Sequence, residues 1–421
     1  MYILQDNAEL LAQESARESG KPVRHVAKEV ERAIGFAAAA ITRLDSDSGD
    51  VLPAGPVGGL RESATHVAFD CPEPVGVVVS ILARSGALEL AARQLFAAIT
   101  AGCPIIIKPA EETPLSCLRL VHLLHEAGLP HVWCQCLVTE TDAVANSLVV
   151  DPRVTLLSFT GSSPVGWRLR QQLPPGTRCV LDHGSVTPVV VAADADLDLL
   201  VAALVEGGLQ QASAEGDALQ RVYAPRKLLN RLIAPLTAAA QALVVQDPLA
   251  AESRIGPLVR RAEAQRVHDW VTAAVAGGAQ LLCGGERVGA CGYQPTLLVD
   301  PPIDALVATQ PVCAPVIALF GIDADEGVLE AACDRANALP YARSVSVFTR
   351  SNDTAIKAFR WLDASSVVLN AHSGTRSELH ALSGLRRSGL GAGGFLASVA
   401  AMQFRKALVI PVAQLADQDH R

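Results

Sequence analysis

From Val75 to Leu173 apolar runs alternate with helical stretches, and this alternation limits the available folds more than any other feature of the chain. "VGVVVSIL" leads into "ALELAARQLFAAITAG", "CPIIIKP" into "PLSCLRLVHLLHEAG", and "WCQCLV" is followed by "VTLLSFTGSSPVGWRLRQQL", itself a strand, a turn and a helix. Strands joined through helices of this length build a parallel sheet covered on both faces. A second series, "PVVVA", "RVYA", "VIALF", "SVSVFT" and "SSVVLN", runs from Pro188 to about Asn370. The expected fold class is therefore α/β, and 421 residues suffice for two such domains.

Charge excludes several roles. With 35 Lys and Arg against 43 Asp and Glu, the net charge of −8 argues against a nucleic-acid or anionic-membrane partner. The longest apolar stretches are cut by Arg84, Glu89, Arg93 and Lys108, so no membrane span is expected. The N-terminus reads as an amphipathic charged helix rather than a signal peptide. Ten cysteines without a Cys-x-x-Cys or His-x-x-x-His pattern predict no metal site. They fit buried thiols in a reducing cytoplasm.

Three segments invite a ligand. In "FTGSSPVG", Phe159–Gly166, a strand ends at Gly161, Ser162 and Ser163 can cap the next helix, and Pro164 suits its first turn. Such a helix start presents free N–H groups to a pyrophosphate, although a capped helix without a ligand reads the same way. "KPAEETP", Lys108–Pro114, places a cation and carboxylates beside it, or a solvated loop. "GLGAGG" fits G-x-G-x-x-G at Gly389, Gly391 and Gly394, but no strand of a βαβ unit precedes it.

"PVGVVVSI", "AGCPIIIKPAEETPL", "HEAGLP", "LLSFTGSSPVG", "DADLD", "GAQLLCGGERVGACGYQPTLL", "VVLNAH" and "SGLRRSGLG" resemble the aldehyde dehydrogenase superfamily in order and spacing, over nearly the whole chain. The resemblance implies a nucleotide-binding domain at residues 1–55 and 75–186, shortened at its N-terminus, and a catalytic-type α/β domain at 187–386. It also implies an oligomerisation hairpin and strand at 56–74 and 402–411, and hence a homo-oligomer or pairing with an active homologue. The tail "RSELHALSGLRRSGLG" is most similar to the branch acting on small anionic or hydroxylated aldehydes, in which Arg376 would hold the substrate's anion.

The family's chemistry needs a cysteine thiolate, an asparagine amide for the oxyanion, a glutamate base and NAD(P). At the nucleophile's position, five residues before Arg221, stands Gly216, flanked by Glu215 and Asp217. Ser85 takes the oxyanion asparagine's place, Asp182 the base's, and Pro311 that of the carboxylate that grips the nicotinamide ribose. Beside the base position, His183 is either a new base or a packed side chain, and Cys313 is a remote substitute nucleophile. Lys108, Glu111, Gly161 and Ser162 match the adenosine and pyrophosphate contacts, with Glu111 favouring NAD, while Thr139 replaces a phosphate-facing glycine. These replacements predict an inactive homologue with a binding, partner or regulatory role. The alternative is an active NAD(P)-dependent oxidoreductase with unusual catalytic residues.

Overall fold

The computed structural model describes residues 1–46, 49–52, 66–139, 142–210, 218–323, 327–375 and 382–411. Two open sheets organise it. The first runs Gly389–Leu390, Arg178–His183, Val154–Gly161, Val77–Ile81, Ile105–Lys108 and Cys134–Cys136. All its neighbours are parallel except the short antiparallel edge strand Gly389–Leu390. Val78 and Val79 are fully buried, as expected of a parallel strand covered on both faces. The helix Ala87–Ala101 packs Leu88, Leu95 and Ala98 into the larger core on one side. It stops at Gly102, whose left-handed φ of 78° lets its N–H reach back to the helix carbonyls.

The second sheet runs Gln280–Cys283, Thr296–Val299, Val316–Ile322, Arg221–Pro225, Pro188–Val191, Ser344–Phe348 and Ser366–Leu369, parallel throughout except at its first pair. Val316–Ile322 is buried at every residue. The helices Arg226–Gln241 and Val328–Asn337 cover its two faces.

A separate three-stranded antiparallel sheet joins Asp50–Leu52, His66–Pro74 and Gln403–Pro411. The remainder of the sequence-expected hairpin, 56–65, lies outside the described residues. "GLGAGG" forms short strands and a turn against Arg178–His183, not the start of a βαβ unit. No described helix is long and apolar enough to cross a membrane.

Candidate functional site

In the first sheet the chain moves outward from Val77–Ile81 through Ile105–Lys108 to Cys134–Cys136, then returns to the other side at Val154–Gly161. The order reverses between Val77–Ile81 and Val154–Gly161. Open α/β sheets bind ligands at such a point, beyond the carboxyl ends of the strands. Ser85, Lys108, Gly161 and Ser162 all stand just there, at or after the ends of three neighbouring strands.

Lys108 closes its strand opposite Ile81 and is only 5% exposed. Its ammonium makes no ion pair or hydrogen bond among the described residues and reaches solvent, so it stays open to a ligand's acceptors. Glu111 is exposed in the following turn, while Glu112 pairs with Arg260 at 3.0 Å. Ser162 precedes the helix Ser163–Gln171, and its carbonyl accepts from the Val165 and Gly166 N–H groups. Its hydroxyl does not cap the helix, contrary to the simplest sequence expectation. Thr139 is buried nearby in the chain, after Cys134–Cys136.

Asp182 lies near the end of Arg178–His183, buried, and both carboxylate oxygens are engaged. Arg93 reaches one oxygen at 3.0 Å from the helix Ala87–Ala101, and Arg343 reaches the other at 2.8 Å. Arg343 enters the second sheet's strand Ser344–Phe348 and also donates to the His183 carbonyl at 3.2 Å. Both guanidiniums are themselves buried, so one carboxylate is held between two cations, one from each sheet's domain.

His183 turns the other way. Its Nδ1 lies 2.9 Å from the Arg387 carbonyl, so that nitrogen carries the proton. Nε2 is buried without a partner, against Gly166, where a Cβ would sit 2.0 Å from it. Edge contacts to Phe159 and Trp167, each at 5.8 Å between ring centres, complete a packed side chain. Burial opposes charging the ring and lowers its pKa below the usual 6.5, outweighing the Arg387 carbonyl and Asp182. The unfolded chain therefore takes up this proton first. Stability falls as pH drops from the unfolded value through the depressed folded one. Urea unfolding between about pH 7 and about pH 5 should show a steeper loss in the wild type than in His183→Asn, which keeps a donor but cannot titrate.

Gln310–Cys313 belongs to the second domain and is tethered from several sides. Fully buried Arg221 donates to the carbonyls of Ala308 at 2.6 Å, Gln310 at 2.6 Å and Val186 at 3.0 Å, and burial pulls its pKa down to about 10. The Val312 N–H reaches Gln220 at 3.1 Å, and the Val312 carbonyl accepts from Arg266 at 2.7 Å. Pro311 and Cys313 are thus carried on a tethered loop. Cys313 takes a left-handed φ of 52°, uncommon outside glycine, and burial raises its thiol pKa. Arg84, next to Ser85, pairs with Glu263 at 2.9 Å, and Glu263 also pairs with Arg260 and Arg266. This ladder links the Ser85 turn to the second domain's helix Arg261–Ala276 and, through Arg266, to the Cys313 loop. Gly216 and Arg376 lie outside the described residues.

Sequence reasoning named Asp182 but neither guanidinium that holds it. Arg93 sits between Ala92 and Gln94 in a largely apolar helix, and that position carried a signal. A basic side chain on a core-facing stripe needs a carboxylate nearby.

The aldehyde dehydrogenase family matches residues 1–407 of this chain. The chain belongs to that family. It is 31% identical to the 3-sulfolactaldehyde dehydrogenase of Priestia aryabhattai over 390 residues, 92% of this chain and 80% of that one. It is 29% identical to the lactaldehyde dehydrogenase of Methanocaldococcus jannaschii, over 97% of this chain and 85% of that protein. The solved glyceraldehyde-3-phosphate dehydrogenase GapN of M. jannaschii, complexed with NADP, superposes with a TM-score of 0.90 at 28% identity. That match covers 97% of this chain and 87% of the solved one. As a family member the chain has the expected α/β architecture, and its likeness extends to the small-anionic-aldehyde branch.

Proposed function

We propose that this chain is a catalytically silent aldehyde dehydrogenase homologue that acts by binding or assembly. The observation that carries this reading is Gly216 at the nucleophile's position, which offers no atom to add to a carbonyl. The clamp on Asp182 supports it, because a carboxylate accepting from two buried guanidiniums is not free to take a proton from water. Ser85 contributes a shorter donor than an amide, and the Cys313 thiol is held protonated by burial.

A nicotinamide dinucleotide, which when bound supplies a hydride acceptor, fits one half of the site. Lys108, Glu111, Gly161 and Ser162 would hold its adenosine and pyrophosphate, and the place of Lys108 at the strand end opposite Ile81, with its ammonium open to acceptors, supports that assignment. Pro311 has no oxygen for the nicotinamide ribose, so the other half fits poorly. Arg376, by its place in the sequence, would hold a small anionic aldehyde or its analogue. Phe69, Leu408 and Val409 are exposed on the three-stranded sheet, which supports association through that sheet with a second copy or an active homologue. Ten free thiols suit a reducing cytoplasm.

Purified protein should not reduce NAD⁺ or NADP⁺ with lactaldehyde, phosphonoacetaldehyde or glyceraldehyde 3-phosphate. Calorimetry should nonetheless detect AMP, with affinity lowered about tenfold or more in Lys108→Met. Sustained reduction by the wild type overturns the silent reading. A folded protein that ignores AMP overturns the adenosine assignment.

A further inference from the structure

Among the described residues one thiol pair stands in direct contact. Cys117, in the first turn of the helix Leu115–Glu126, and Cys136, at the end of Cys134–Cys136, place their sulfurs 3.8 Å apart. A disulfide needs about 2.05 Å between its sulfurs, so closure brings this contact pair closer together. The two thiols are not equivalent. Cys117 is fully buried and Cys136 half-buried, so an oxidant meets Cys136 first. The two sulfurs are in hydrogen-bond contact, in which either thiol can donate, and that contact favours the thiolate at the more accessible Cys136. Neighbouring Cys134 does not compete, since burial pushes its thiol up to about 12.

We propose that Cys117 and Cys136 form an oxidant-sensitive dithiol, with hydroperoxide as the oxidant, Cys136 attacking and Cys117 resolving. The Cys136 thiolate attacks the terminal peroxide oxygen, the O–O bond breaks, and the leaving oxygen departs as water or alcohol on taking up a proton. Cys117 then attacks the sulfenic sulfur, the S–S bond forms, and hydroxide leaves with the Cys117 proton as a second water. Two thiols lose two electrons in total and the peroxide gains them. Oxidation of this pair needs neither the residue at position 216 nor a bound nucleotide. Its placement still matters: Cys136 pairs in register with Ile107, the residue before Lys108, and Cys117 lies just beyond the turn that follows Lys108. The disulfide therefore fastens together the two segments that flank that lysine.

Full-length protein treated with stoichiometric hydrogen peroxide, alkylated and digested without reductant should yield the linked Cys117–Cys136 peptides as the main oxidised product. Cys71, exposed and with its sulfur against the Lys406 carbonyl rather than another thiol, should remain alkylated. In Cys117→Ser, dimedone should trap a sulfenic acid at Cys136; in Cys136→Ser, Cys117 should stay reduced. The wild-type map decides the matter by itself if either variant misfolds. Oxidation of Cys71 ahead of Cys136, or Cys136 alkylated equally before and after peroxide, overturns the proposal.

Discussion

Replacing Asp182 by alanine will cost about 3–5 kcal/mol of stability, the range for removing one partner from a buried ion pair. The reason is what the mutation leaves behind. Arg93 and Arg343 are both buried, and each spends its contact with Asp182 on a separate oxygen. Without the carboxylate, two buried cations lose the acceptor they share. Asp182→Asn keeps acceptor capacity but not charge, so it should fall between alanine and wild type. Arg343→Met should cost less than Asp182→Ala, because the Arg93 pair survives and the local charge becomes balanced. Urea unfolding checks this through a shifted midpoint at constant slope. An Asp182→Ala variant with an unchanged midpoint and a lost aldehyde-dependent rate would show instead that the carboxylate serves chemistry.

The clamp also shows what a sequence can and cannot disclose. Strands such as Val77–Ile81 and Val316–Ile322 are legible because a strand buried on both faces must be apolar along its length. Chain order then places Ser85, Lys108 and Gly161 at one sheet edge, since successive strand–helix units carry strand ends to the same side. The partners of Asp182 are a different kind of fact. Arg93 is 89 positions from it and Arg343 further still, and nothing in local periodicity encodes which distant cation meets which carboxylate. Arg84 and Arg93 read in the sequence only as breaks in apolar runs. In the fold, one bridges to Glu263 of the second domain and the other neutralises a buried acid. The Cys117–Cys136 contact was invisible for the same reason, because helix-to-strand packing sets it.

Gly216→Cys, the most direct attempt at repair, should not restore aldehyde oxidation. A thiol at that position supplies only the first requirement. On the proposed assignment, an oxyanion formed there would find Ser85 instead of an amide, and loss of one such donor costs on the order of 10²–10³ in rate. Release of the acid needs a base, and a missing general base costs roughly another 10²–10⁴. With Asp182 engaged by both guanidiniums, these losses multiply to about 10⁴–10⁷ below a family member with every group in place. The introduced thiol should still be alkylated by iodoacetamide, which separates a reactive sulfur from a working enzyme. Adding Ser85→Asn and Asp182→Glu to Gly216→Cys should recover little, because Arg93 and Arg343 would pair with the new glutamate as they do with the aspartate. Only releasing those two cations as well should raise the rate, so the order in which activity returns along this series tests which group limits it. Turnover by Gly216→Cys alone within about 10² of an active homologue would show that the missing sulfur was the whole defect.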